Sequence, residues 1–184
     1  TYASDNETVA SVDENGKVTA KAAGTAVITA TSAAGKTAQY KLTVKTPSVK
    51  LNASAKTLYV KGSPATVTLK ATTAGVTGKV TYTSSKPSVV AVAANGKVTA
   101  KAAGTAVITA KCGNYKATCK ITVKKPSVKA SASAKTVFVG GTSQIKVEKT
   151  GVSGKVTYTS SNKSVAVVSA GGKVTAKKAG TATI

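Results

Sequence analysis

The sequence predicts an all-β chain of tandem β-sandwiches set end to end as an elongated rod. Three observations carry this. The sixteen residues at 15–30, Asn-Gly-Lys-Val-Thr-Ala-Lys-Ala-Ala-Gly-Thr-Ala-Val-Ile-Thr-Ala, recur unchanged at 95–110, and a close relative at 171–184 closes the chain. Apolar and polar residues alternate with period two, as in Lys97-Val98-Thr99-Ala100-Lys101, the mark of half-buried strands. Turn dipeptides punctuate the alternation at strand-length spacing, and no segment of helical period competes with it.

The recurring piece reads as two strands and the turns around them. Asn-Gly supplies the positive φ of a tight reversal. Ala106, Ile108 and Ala110 then face one way, with Val107 and Thr109 opposite. Thr1-Tyr2, Thr81-Tyr82 and Thr157-Tyr158 open equivalent segments, 80 and then 76 residues apart. A repeat of that length buries a small core of its own, and it overrides a domain count from length alone.

In chain order, 1–46 matches the second half of a unit. Thr1–Ser4 corresponds to 81–84, and 39–44 is a final strand ending Lys-Leu-Thr-Val. Pro47 and Pro126 stand in short connectors, where proline suits a strand start or edge. Residues 47–125 form the complete unit, with strands expected near 49–53, 57–60, 66–71, 79–84, 89–93, 96–101, 105–112 and 115–123. The core candidates there are Leu58, Val67, Leu69, Val80, Tyr82, Val90, Val92, Val98, Ala100, Ile108, Cys119, Ile121 and Val123. Residues 126–184 repeat the plan and stop before its last strand, with Val137-Phe138-Val139 where Leu58-Tyr59-Val60 stood. Connectors this short leave little slack, so units align end to end. Each extends the rod by somewhat more than the roughly 27 Å of an eight-residue strand. Seven or eight short strands per unit suit an Ig-like sandwich. With aromatics at 4% and no Trp or Met, the core is thin and aliphatic.

Charge is the second theme. The chain holds 27 basic residues, all Lys, against 5 acidic ones, a formal +22. Asp5, Glu7, Asp13 and Glu14 lie in the first fourteen residues, which hold no Lys, and Glu148 is the only acid thereafter. Such a field attracts polyanions (nucleic acid, anionic membrane or wall polymer) and repels copies of itself; the plainer reading is a solvated surface. The absence of Arg argues against sequence-specific nucleic-acid reading, which favours the guanidinium fork. No apolar run reaches the roughly 20 residues of a membrane span.

The string Gly-Lys-Val-Thr-Ala-Lys-Ala-Ala-Gly-Thr-Ala-Val-Ile-Thr-Ala resembles the signature of the bacterial immunoglobulin-like domain, group 2. So do Tyr82-Thr83-Ser84-Ser85 before Val89 and the closing Ala117-Thr118-Cys119-Lys120-Ile121-Thr122-Val123. The resemblance covers essentially the whole chain in three registers. It implies β-sandwiches in tandem arrays on secreted or cell-surface proteins: adhesins, surface-layer and wall-attached enzymes, and some phage virion proteins. It brings no catalytic residues and no cofactor. One departure is Tyr82 or Tyr158 where many members carry Trp.

Candidate chemistry is sparse. Between Asn15 and Val147 there is no Asp, Glu or His. That excludes acid–base pairs, Ser-His-Asp triads and carboxylate metal sites from the complete unit, and equally an isopeptide crosslink that needs a buried acid. Ser143–Lys146 and Ser160–Lys163 have Ser-x-x-Lys spacing, which chance supplies in so Ser- and Lys-rich a chain. Cys112 and Cys119 either close the last hairpin as a disulfide or are two small buried apolar residues; a two-residue turn at Gly113-Asn114 would set Cys112 against Tyr115 and separate the pair. Asp13-Glu14-Asn15-Gly16 reads as a solvated turn rather than a calcium loop. Asn6, Asn52 and Asn162 open sequons, whose use the bacterial resemblance does not favour. Lys17, Lys21, Lys97, Lys101, Lys173 and Lys177 form a lysine ladder on an outer face, either a guard against aggregation or a polyanion track. The expected protein is therefore a non-catalytic extracellular or wall-associated stalk or fibre. Further copies in a head-to-tail fibre and an anionic wall polymer or glycan are its candidate partners.

Overall fold

A computed structural model describes all 184 residues, as eighteen strands and no helix. By compactness the chain forms two units: Thr1–Asn52 with Lys70–Thr81 and Ala110–Ala117, and Ala53–Leu69 with Tyr82–Thr109 and Thr118–Ile184. The two Pro connectors, at 45–47 and 125–126, lie outside any strand.

In the first unit, β1 (Tyr2–Ser4), β4 (Gly24–Thr31) and β5 (Thr37–Val44) form an antiparallel sheet with β4 in the middle. Its register runs from Gly24 opposite Val44 to Thr31 opposite Thr37. Two short strands, β2 (Ala10–Val12) and β3 (Val18–Ala20), form a separate hairpin over the Asn-Gly turn. Val9, Ala10 and Ala26 make the core, and Leu42 and Val44 of β5 pack onto it. The alternation in Lys-Leu-Thr-Val does this: residues two apart on a strand share a face. Beyond the first connector, β6 (Ser48–Leu51) pairs with β9 (Ala71–Ala74).

The middle repeat is completed by β7 (Ala55–Tyr59), β8 (Thr66–Thr68), β10 (Thr81–Ser84), β11 (Val90–Val92), β12 (Lys97–Ala100), β13 (Gly104–Cys112) and β14 (Tyr115–Lys124). One sheet has the order β10-β13-β14-β7 and the other β11-β12-β8. The core follows the expected parity. Leu58, Leu69, Val90, Val98, Ile108, Cys119 and Ile121 are buried, while Val67, Val80, Tyr82, Val92 and Ala100 are half-buried. Each fully buried aliphatic side chain of this size contributes roughly 1.5–3 kcal/mol.

The expected single strand at 66–71 is two. β8 pairs with β12 and β9 with β6, so the chain changes sheets between them. Leu69 turns its side chain fully inward at the corner, and its N–H donates to the Gly96 carbonyl at 2.9 Å. Lys70 is held on the other side: its N–H donates to Asn52 Oδ1 at 3.0 Å, and its carbonyl accepts from Asn52 N–H. Corners of this kind let one segment serve both layers of a sandwich.

The third repeat holds β15 (Ser127–Ala132), β16 (Thr142–Thr150), β17 (Ala166–Val168) and β18 (Lys173–Ala176), in the order β15-β16-β18-β17. Here the corner strand is continuous, and β16 pairs with β15 along 145–150 and with β18 along 142–144. The segment 137–139, expected to mirror β7, is not a strand. β7 is held by parallel pairing with β14, from Lys120 opposite Ala55 to Lys124 opposite Tyr59, and no strand lies beside 137–139.

Candidate functional site

Residue types that do chemistry are engaged structurally. Ser143 is buried, and its Oγ donates to the Ala134 carbonyl at 2.6 Å while accepting from Ala134 N–H. Ser160 Oγ donates to the Ala166 carbonyl at 2.7 Å, the bond that Ser4 makes to Ala10 in the first repeat. Lys146 and Lys163 are exposed, so neither Ser-x-x-Lys pair is a nucleophile beside its base. Asp13 Oδ1 closes its turn by accepting from Asn15 N–H and Lys17 N–H at 3.0 and 2.8 Å. Asp5 Oδ1 accepts from Val27 N–H, the place taken by Ser85 Oγ with Val107 N–H and by Ser161 Oγ with Thr183 N–H. Two of the early acids thus act as backbone acceptors. Asn6 and Asn162 Oδ1 accept from Thr8 and Ser164 hydroxyls within their own turns.

The two cysteines are free and buried, which corrects the disulfide alternative. β13 ends at Cys112 and β14 begins at Tyr115, so the reversal has only two residues. Cys119 therefore lies four residues beyond Tyr115, about 13 Å along the strand, too far for the Cα separation of a disulfide. Cys112 Sγ instead lies 3.4 Å from the Gly78 carbonyl. Burial pushes the Cys119 thiol above its ordinary pKa, and the Lys56 ammonium pulls it part of the way back. A thiol held protonated in this way is a poor nucleophile and a poor metal ligand.

The ladder lysines are all exposed, but their strands are short. Lys97 and Lys173 begin β12 and β18, Lys101 and Lys177 follow the ends of those strands, and Lys17 and Lys21 flank β3. A longer row that sequence reasoning missed lies on β14. Lys116, Lys120 and Lys124 are exposed at every fourth residue, with the inward Cys119, Ile121 and Val123 between them. The alternation within 115–124 was the signal that could have found it.

Two further features emerge from the structure. One is a joint between the second and third repeats. Ser63 N–H donates to the Gly151 carbonyl at 2.9 Å, and the Tyr59 ring lies against Gly151 so closely that a Cβ there would fall inside it. Gly62 is wedged between that carbonyl and Pro126. The other is a groove of about 650 Å³ in the third repeat, lined by Val137, Phe138, Ile145, Ala166, Val174 and Ile184 among others.

With the architecture in place, comparison with family models divides the chain into three. Residues 1–34 match the intimin immunoglobulin-like domain, 78–125 a bacterial Ig-like domain, and 122–184 the bacterial Ig-like domain, group 2. All three matches are to Ig-like domain models. No curated protein sequence matches the chain. Among solved structures, domains 4–9 of the surface layer protein SbsC are 23% identical with a TM-score of 0.36, over 81% of this chain and 27% of that one. A C-terminal fragment of intimin, in complex with the intimin-binding domain of the translocated intimin receptor, is 21% identical with a TM-score of 0.37, over 71% and 53%. The chain therefore spans about a quarter of the length of that SbsC structure. No helix is long and apolar enough to cross a membrane.

Proposed function

We propose that the chain is a non-catalytic structural segment of an extracellular or wall-associated protein, in which units at 1–46, 47–125 and 126–184 serve as a stiff spacer or fibre element. The observation that carries this is the joint at Tyr59, Gly62, Ser63 and Gly151. A spacer transmits position only if its repeats do not swivel. Here a backbone hydrogen bond and a ring-on-glycine contact fix the third repeat against the second. Serine and lysine side chains that would be needed for catalysis are taken up by turns or solvent, which agrees with a geometric role. The test is backbone relaxation by NMR. The second and third repeats should tumble with one correlation time in the wild type, and Gly151→Ala should uncouple them. Independent tumbling in the wild type would remove the basis for the reading.

A second reading is a cationic tether to an anionic wall polymer or glycan. The exposed lysine row of β14 favours it, because three like charges at regular intervals match the repeating charge of a polyanion. Filament formation by copies of the chain belongs to the first reading and needs no additional chemistry.

A further inference from the structure

The turn end of the middle repeat's last hairpin carries an unfavourable arrangement of charge. β13 ends at Cys112, β14 begins at Tyr115 and the two strands are neighbours, so Cys112 stands opposite Tyr115 and Lys111 opposite Lys116. In a two-residue hairpin the residues beside the turn exchange both backbone hydrogen bonds. The next pair is then of the closer, non-bonded kind, with Cα atoms about 4.5 Å apart and side chains on one face. Lys111 fits this, because its carbonyl is turned the other way and accepts from Thr81 Oγ1 on β10 at 3.3 Å. Both lysines are exposed. Lys79 adds a third charge. It and Thr81 are exposed with the half-buried Val80 between them, so alternation sets Lys79 on the face that carries Lys111. Like charges directly opposite each other destabilise a sheet, and the middle repeat has no Asp or Glu to offset them. Nor does the hairpin need lysine there. In the first repeat the corresponding pair is uncharged, Thr31 opposite Thr37.

We propose that Lys79, Lys111 and Lys116 form a phosphate-binding site for the backbone of a base-free phosphodiester polymer, of the poly(alditol phosphate) type. The inference rests on the tether reading and names its point of contact and its ligand chemistry. A phosphodiester set between Lys111 and Lys116 gives one oxygen to each ammonium, which turns the repulsion of the pair into two charge-assisted contacts. Lysine binds phosphate as a point charge and lacks the planar fork that matches a carboxylate bidentately. Single-stranded nucleic acid suits the site poorly, because such strands are gripped by stacking their bases on aromatic rings. The rings nearest in the chain, Tyr82 and Tyr115, have the opposite parity to Thr81 and Lys116 and so belong to the other face. A polymer is favoured over a small phosphate because the site is an open face, and the exposed lysine row of β14 continues from Lys116.

The test titrates the 184-residue chain at low salt with poly(glycerol phosphate), with polyglutamate of equal charge and with glycerol 3-phosphate, by calorimetry and NMR amide shifts. The phosphate polymer should bind best, with its largest shifts at Lys79, Lys111 and Lys116. Lys111→Thr with Lys116→Thr reproduces the pair of the first repeat and should weaken polymer binding at least about tenfold. Lys146→Thr with Lys163→Thr removes the same charge from exposed positions of the third repeat and should weaken it less than about threefold. Without polymer, the middle repeat carrying Lys111→Thr and Lys116→Thr should unfold at higher urea than the wild type at low salt, and the gap should close at high salt. Equal losses in the two double variants, polyglutamate or glycerol 3-phosphate bound as tightly as the polymer, or no gain in stability at low salt would each overturn the site and leave the tether reading standing. No binding of any polyanion at low salt would remove both.

Discussion

Gly96 stands where the repeated turn meets the corner of the chain. Its φ is +79°, and a Cβ there would collide with the Leu69 carbonyl and come within 3.0 Å of the Tyr82 ring. The Tyr82 hydroxyl donates to that same carbonyl at 3.1 Å, so ring, glycine and corner form one cluster. The sister positions are more forgiving. At Gly172 the Ile145 carbonyl and Tyr158 ring lie 2.9 Å from such a Cβ, and at Gly16 only the Tyr2 ring is close. All three have φ near +80°, so they share the conformational cost of replacing glycine and differ in the collision. Alanine at 96, 172 and 16 should therefore destabilise in that order, by about 3, 2 and 1 kcal/mol in urea unfolding. Equal losses would show that φ alone sets the cost. The glycine was legible as a turn residue in the sequence. Its tightness was not, because the colliding carbonyl comes from 27 residues away.

At the scale of strands, the three copies of one isoleucine report how complete each sandwich is. Ile108 is fully buried, Ile28 is 7% exposed and Ile184 is 38% exposed. The sequence around them is nearly the same, so the difference comes from what packs opposite. Ile108→Ala should cost about 3–4 kcal/mol, Ile28→Ala about 2, and Ile184→Ala less than about 1, because the cost scales with the cavity left behind. Denaturant unfolding of the three variants checks the order, and an Ile184→Ala effect as large as that of Ile108→Ala would contradict the open groove. Strand positions in the middle repeat were readable from alternation to within a residue or two. The exception was 66–71, where a change of sheet leaves the apolar pattern unbroken and periodicity has nothing to detect.

For the whole molecule the dominant quantity is charge, +22 with a single acid after residue 14. A solvated surface and a polyanion track differ in one measurable respect. If the β14 row binds a polyanion, replacing Lys116, Lys120 and Lys124 with alanine should lower the salt dependence of polyphosphate or teichoic acid binding. The log–log slope should fall by about 2–3, near 0.7–0.9 for each phosphate that a lysine no longer neutralises. Titrations at several salt concentrations measure that slope directly. An unchanged slope would place the binding face elsewhere or reduce the lysines to a solubilising coat.

The sequence by itself determined the repeat, the all-β class, the inward parity of the core and the stretch from Asn15 to Val147 without Asp, Glu or His. Those properties follow from local alternation, turn dipeptides and composition, and need no partner to be read. Tertiary structure alone decided the fate of the cysteines, the strand that changes sheets and the joint at Gly151. Each of these depends on which distant segment lies opposite, and residues with the same local pattern receive different neighbours. Val137 and Leu58 sit in matching strings, yet Leu58 is buried on a strand paired beside β14 while Val137 has no strand beside it.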